Sequence, residues 1–366
     1  MRTPRRAAVA TVSLLAGSAM AIGMATSAAG TPAATRHRSA VSMVPAKAHH
    51  VRVPKAGRAV NTSHPDHVVG HGTPKSCSSS AFVKAVAAGG VITFNCGPKH
   101  VRITLKKAAH VTDTSKRVVI DGGGKVTLSG DHKHRILFMN TCGPSHVQSD
   151  NCYAVAYPRL VVQNITMRAG NSQSTAGIAT YPPGGGAIFE LGGRFKVVNS
   201  TFINNRCYHV GPDLGGGAIR AIMQEHQPPV YITNDTFRGG RCSNGSALSS
   251  ISTSWVVTNS TFTDNKAIGH GQNPAEPGTP GGGSGGAIYM DGDAIALSVA
   301  GSTFENNVAN EGAGAIFFVS DNRTGTLTIS DSTLHNNPSG TFSTPGYPGI
   351  YYHSSGKPTV TNSTID

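Results

Sequence analysis

The sequence predicts an all-β chain wound into a solenoid of parallel strands. Three observations carry this: one phrase recurs through the second half of the chain, apolar residues alternate within each copy, and Gly-Gly and Asn-Asn pairs punctuate the copies. The copies read GGGAIFELGGRFKVVNSTFINN (Gly184 to Asn205), GGGAIRAI…VYITNDTFRGG (Gly215 to Gly240) and GSALSSISTSWVVTNSTFTDN (Gly245 to Asn265). They continue as GGAIYMDGDAIALSVAGSTFENN (Gly285 to Asn307), GAGAIFFVSDNRTGTLTISDSTLHNN (Gly312 to Asn337) and a partial GIYYHSSGKPTVTNSTI (Gly349 to Ile365). A unit of about 25–40 residues cannot bury its own apolar face and must stack on its neighbours.

Within a copy, Val197, Asn199 and Thr201 alternate with Val198, Ser200 and Phe202, so the stretch reads as a strand, and two strands per unit are expected. Val, Ile, Thr and Phe suit a pleated surface, and no stretch of the repeat has helical spacing. Equivalent positions of successive coils then lie one strand spacing apart. Ile188, Ile219, Leu248, Ile288, Ile316 and Ile350 are expected to form one internal stack, and Phe202, Phe237, Phe262, Phe304 and Leu334 a second. Asn205, Asn265, Asn307 and Asn337 are expected to form an amide ladder that Gly240 interrupts. Trp255 reads as a packed strand residue, and the Asn-x-Ser/Thr triplets at Asn199, Asn259 and Asn362 as repeat positions rather than glycosylation sites.

Upstream, residues 1–29 read as a signal peptide: Arg2, Arg5 and Arg6 precede a small apolar run that ends at Ala29. Residues 30–75 are rich in Ala, Pro, His, Lys and Arg and read as a disordered basic tail or linker. The chain carries 31 Lys and Arg against 18 Asp and Glu, but ten of those bases and one acid, Asp66, precede Ser76. The basic character is therefore a property of the N-terminal region, and residues 76–366 are read as the solenoid. The stretch Ala81 to Gly90 is the helix candidate, placed to cap the first coil. A nucleic-acid partner is excluded for want of a basic helix or an interleaved aromatic groove, and no segment is long and apolar enough to span a membrane. A monomer is expected.

Six cysteines in an exported chain point to disulfides. Of the fifteen possible pairings, sequence neighbours favour Cys77–Cys96, Cys142–Cys152 and Cys207–Cys242. No CxxC or CxH spacing supports a metal site at these residues.

GGAI followed by ST(F/L)xxN resembles the right-handed parallel β-helix proteins of the pectate-lyase-like superfamily, above all the repeats of the polymorphic outer membrane protein type. CSSSAFVKAVAAGGVITFNCGP (Cys77 to Pro98) and VVIDGGGKVTLSG (Val118 to Gly130) resemble the segments that precede such repeats in secreted bacterial proteins. The resemblance covers Cys77 to the end. It implies a single right-handed parallel β-helix, which the Ala81 to Gly90 helix would cap; the signal peptide implies secretion, and the flexible cationic tail could hold the exported protein near anionic cell-wall polymers. The superfold hosts several activities, so function must come from a site.

The position after each stacked Ile gives an outward column: Phe189, Arg220, Ser249, Tyr289, Phe317 and Tyr351. Its aromatics suit sugar rings and its arginine a carboxylate, although the same residues could simply pack beneath the long loops. Lyases on this fold abstract a proton beside a uronate carboxyl group, which needs a cation to neutralise the carboxylate and a base. Arg220, Glu190 and Arg238 are the catalytic candidates; Phe189, Tyr289, Phe317, Tyr351 and Arg206 are the substrate-binding ones. Asp291 and Asp293 could ligate Ca2+, and a tight turn explains them equally well. A hydrolase would draw its paired carboxylates from Glu190, Asp213, Glu225, Asp235, Asp264, Asp291 and Asp293. Gly269-His270-Gly271 echoes a hydrolase motif without its partner acids, and no GxSxG elbow is present. The expectation is a secreted carbohydrate-active β-helix, foremost a lyase acting on an acidic polysaccharide. The alternative is a non-catalytic surface or polysaccharide-binding module on a cell-wall polymer, and a glycoside hydrolase comes third.

Overall fold

One coil shows how the repeat folds. Ile188–Leu191 forms a strand, Gly192 and Gly193 turn with φ of 69° and 72°, and Arg194–Val198 forms a second strand. Asn199 then adopts a left-handed φ of 52° and bends the chain into a third strand, Thr201–Ile203. Each strand pairs in parallel with its counterpart on the next coil. The computed structural model describes residues 48–142, 152–173, 184–212, 214–224, 228–271 and 281–366. Among these, three parallel sheets run the length of the stack. Sheet A has ten strands, His67–Val69 to Thr359–Thr361; sheet B has nine, Val101–Thr104 to Thr364–Ile365; sheet C has eight, Ala109–Val111 to Ile350–His353. The coil thus has three main strands where the sequence pattern was read as two, and three coils add a short fourth, Arg241–Cys242, Lys266–Ala267 and Val308–Ala309, paired in a small sheet of their own. The alternation that runs through Asn199 is broken by its left-handed backbone, so Val197 and Phe202 both point inward.

The stacks form as expected. Ile188, Ile219, Leu248, Ile288, Ile316 and Ile350 are consecutive partners in sheet C. Phe202, Phe237, Phe262 and Phe304 stack with ring centroids 4.7, 5.0 and 4.5 Å apart. Trp255 is packed at 1 % exposure. Glycine has two distinct duties at the start of most copies. Gly185, Gly216 and Gly285 take φ of 61°, 77° and 68°, which Cβ-bearing residues rarely adopt. The next glycine lets backbones touch, since a Cβ on Gly186 would stand 2.4 Å from the Gly217 carbonyl oxygen.

Two polar ladders close the corners inside the wall. Asn265 donates to the Asn307 side-chain oxygen from its backbone (3.1 Å) and its amide (2.8 Å), and Asn307 repeats both bonds to Asn337. Gly240 does interrupt this ladder, and its N–H donates to Asn265 Oδ1 at 2.9 Å. Where sheet A turns into sheet B, the N–H of Ser260 donates to Ser302 Oγ, that of Ser302 to Ser332 Oγ and that of Ser332 to Ser363 Oγ. Asp235 occupies one rung of this serine ladder, accepting from the N–H groups of Ser200 (2.6 Å) and Thr233 (2.9 Å). Its burial drives its pKa well above the ordinary carboxylate value, against the two backbone donors.

The helix Ser79–Ala88 is capped by Ser78, whose Oγ accepts from the Ala81 N–H, and buries Phe82, Ala85 and Val86 against the first coil. All three cysteine pairings favoured by sequence are disulfides, with Cα–Cα distances of 5.6, 4.9 and 4.7 Å. Cys207–Cys242 joins successive coils, whose residues Arg206 and Arg241 pair alongside.

The basic tail is corrected from Ala48 onward. This segment lies along the coils as a strap, crossing them from the C-terminal end of the stack toward the N-terminal end. His49 N–H donates to the Asp331 carbonyl; the Asn259 amide brackets Val51 N and O at 2.8 and 2.9 Å; the Gln163 amide brackets Val60 at 2.9 and 3.0 Å. Thr62 Oγ1 donates to Asp121 at 2.7 Å, and His67–Val69 then becomes the first strand of sheet A. The tail lacks a hydrophobic core of its own. Val60 instead packs on Val91, Val119 and Val161, and coil-borne amides satisfy the strap backbone as a neighbouring strand would. The signal-peptide residues lie outside the described residues.

Two outcomes follow. Asn307→Ala strands buried polar groups on both neighbouring coils and is expected to cost about 3 kcal/mol, read from the urea midpoint. Asp235→Ser completes the serine ladder and removes a carboxyl group whose pKa burial raises well above the ordinary value. Because its folded pKa is raised, the contribution of Asp235 is fully present only below the ordinary value of 3.8 and fades as pH rises toward the folded value. The variant is therefore expected to gain on the wild type between pH 4 and pH 7.5, measured by urea unfolding at both pH values.

Candidate functional site

The outward column of sheet C forms in the expected register. Phe138, Phe189, Arg220, Ser249, Tyr289, Phe317 and Tyr351 are consecutive partners. It is sealed, however. Phe189 is 0 %, Arg220 5 %, Tyr289 2 % and Phe317 5 % exposed, and only Tyr351 is half-buried. Tyr289 stacks on Phe317 at 4.9 Å, Phe317 stacks on Tyr351 at 5.0 Å, and Phe342 closes edge-on over both Phe317 and Tyr351. The buried Arg135 guanidinium sits 5.3 and 5.1 Å from the Phe138 and Phe189 ring centres and donates to the Gly184 and Gly185 carbonyls. The column therefore packs beneath the connections between coils, the second of the two readings its sequence allowed, and offers no open aromatic face for a sugar.

The predicted catalytic residues separate for a geometric reason. Glu190 follows Phe189 in one strand, so the two point to opposite sides of sheet C. Glu190 pairs with Met139 and Ala221 and is fully buried. Burial raises its pKa well above the ordinary carboxylate value, and the Gln224 amide that donates to its Oε1 opposes this only in part. Arg220, in register with Phe189, stands on the other side of the sheet. Arg238 is exposed on sheet B, between Ile203 and Thr263. Arg206 is exposed beyond sheet B, bridged to Asn171 and Arg241. No described surface gathers these four.

Asp291 and Asp293 end a strand of sheet C. The Tyr289 hydroxyl donates to Asp291 at 3.3 Å. Asp321 nearby has a raised pKa, from burial first and the Asp293 charge second. Ca2+ takes six to eight oxygen ligands, and among the described residues no three His, Cys, Asp or Glu side chains form a metal-holding group. His270 Nε2 lies 3.0 Å from the Asn310 amide and its Nδ1 3.7 Å from Glu311, a loop contact. Asp213, Glu225 and most of the two long loops lie outside the described residues.

A different basic cluster stands on the outer face of sheet A. Arg117, Arg159 and Arg194 begin three consecutive strands and are direct register partners. With Lys196, Val60, Val161, Pro229 and Tyr231 they line a groove of about 390 Å³ beside the strap. Arg159 lies over the Tyr157 ring at 5.0 Å, and Lys196 donates to the strap carbonyls of Ala56 (3.0 Å) and Arg58 (2.6 Å). The signal is visible once coils are aligned, as KRVVID, PRLVVQ and GRFKVV each place Arg before the same apolar run. Two of the three precede the clean repeats, which is why reading from the GGAI phrase misses them.

Among the described residues no helix is long and apolar enough to cross a membrane. The chain matches no curated protein and no solved structure. Residues 185–365 match the family described as the right handed beta helix region, which agrees with the stacked parallel sheets: the fold is a single right-handed parallel β-helix with a short N-terminal helix over its first coil.

Proposed function

We propose that this protein is an exported, non-catalytic β-helix module that binds an acidic polysaccharide at the cell surface. One observation carries the reading: the acid and base candidates for lyase chemistry lie on opposite sides of sheet C, with the aromatic column sealed. A lyase must bring a base and a carboxylate-neutralising cation to one exposed carbon atom, and the described residues offer no such meeting point. Three disulfides and the signal-like N-terminus support export. The likeness of the GGAI and ST(F/L)xxN phrases to polymorphic outer membrane protein repeats supports a surface role. The cationic groove on sheet A supports an acidic partner.

Incubated with a panel of uronate polymers, with and without added Ca2+, the protein is expected to give no rise in ultraviolet absorbance from unsaturated ends. It is expected to co-sediment with at least one of them, less so as salt is raised. A steady absorbance rise that Arg220→Ala or Glu190→Gln abolishes would restore the lyase reading.

A further inference from the structure

We infer that Arg117, Arg159 and Arg194 form an anion-binding ladder on sheet A that recognises a linear polysaccharide carrying carboxylate or sulfate groups at regular intervals. This rests on the binding-module reading above and names its site and ligand chemistry.

The ladder is a direct product of register. The three arginines are paired neighbours on successive coils, so their backbones repeat at about 4.8 Å along the solenoid axis. Like charges at that pitch repel, and the fold supplies little to offset them. Asp66 reaches only Arg117, at 3.9 Å, with both side chains more than half exposed. Arg159 and Arg194 meet no carboxylate among the described residues. Arg194 is half-buried, and its Nε and Nη1 are buried without an acceptor. Unsatisfied buried donors are unfavourable, and a guanidinium fork is the side chain best matched to a planar or tetrahedral oxyanion. A polymer presenting anions along the same axis neutralises the row through the exposed Arg117 and Arg159 and the accessible edge of the half-buried Arg194.

The rest of the groove selects a sugar chain over a bare polyanion. Val161, Lys196 and Tyr231 continue in one outward column beside the arginines, and Pro229 flanks Tyr231. The strap contributes Ala56 and Val60 as the opposite wall. Lys196 is turned into that wall by its two strap carbonyls, so the three arginines carry the recognition. Apolar flanks suit the faces of pyranose rings, with the charged groups meeting the arginine edge. From the coil of Arg117 to that of Tyr231 the groove spans roughly 14 Å along the axis.

The test titrates the full disulfide-bonded protein with polygalacturonate, dextran sulfate, neutral dextran and inorganic polyphosphate. Polygalacturonate or dextran sulfate is expected to bind, which separates carboxylate from sulfate as the source, while dextran does not. Arg159→Gln combined with Arg194→Gln should weaken that binding at least tenfold. Arg159→Lys combined with Arg194→Lys, which keeps the charge and loses the fork, should fall between. Arg102→Gln on sheet B should leave binding unchanged, with thermal melting confirming that each variant folds. Undiminished binding by the double Gln variant would overturn the ladder and leave the module reading standing. Failure of the wild type to bind any acidic polysaccharide would overturn both. Binding of polyphosphate alone would overturn the polysaccharide assignment.

Discussion

Everything in this molecule depends on successive coils keeping one vertical register. Parallel strands pair residue for residue from sheet to sheet, and a slip of one would send every inward side chain outward. The register is pinned at the corners rather than within the strands. Asn199, Asn234, Asn259, Gly301, Asp331 and Asn362 turn the chain at the same place in successive copies by taking a left-handed backbone. Gly185, Gly216, Gly245, Gly285 and Gly349 do the same at another corner, where Ala313 takes their place in the copy that begins at Gly312. Short strands between fixed corners leave no room for slippage.

Register turns single residues into columns, and each column has one chemical character. Inside, aliphatic and phenylalanine stacks gain burial on every coil, while serine and asparagine ladders satisfy backbone donors that the corners would otherwise strand. The same logic separates residues adjacent in sequence. Glu190 and Phe189 are neighbours in the chain and lie on opposite sides of a sheet, so the acid becomes part of the packed interior and burial raises its pKa well above the ordinary carboxylate value. Chemistry needing several groups at one point must therefore come from one outward column or from loops.

The outer faces divide the labour. Sheet C is covered by its own inter-coil connections and by Phe342, which makes it a second, external core. Sheet A is covered only by the strap, whose backbone is held by coil side chains and whose valine adds to an outward valine column. Beside the strap lie the three register-matched arginines.

The sequence alone determined the repeat, the parallel solenoid, the two internal stacks and the interrupted asparagine ladder, while among fifteen possible cysteine pairings it only favoured the three that the structure forms. Each depends on residue type at a fixed offset, which spacing preserves. It did not determine that a coil has three strands, because alternation continues through Asn199 and only the sign of its φ reveals a corner. Nor did it determine which outward column stays open, since burial depends on what distant segments lay over it. The basic tail read as disordered because it cannot fold by itself; it becomes ordered from Ala48 because amides at Gln163 and Asn259, far along the chain, are brought to one line. The arginine row has the same origin. Arg117, Arg159 and Arg194 sit at unequal intervals in sequence, and only the winding of coils of unequal length sets them side by side.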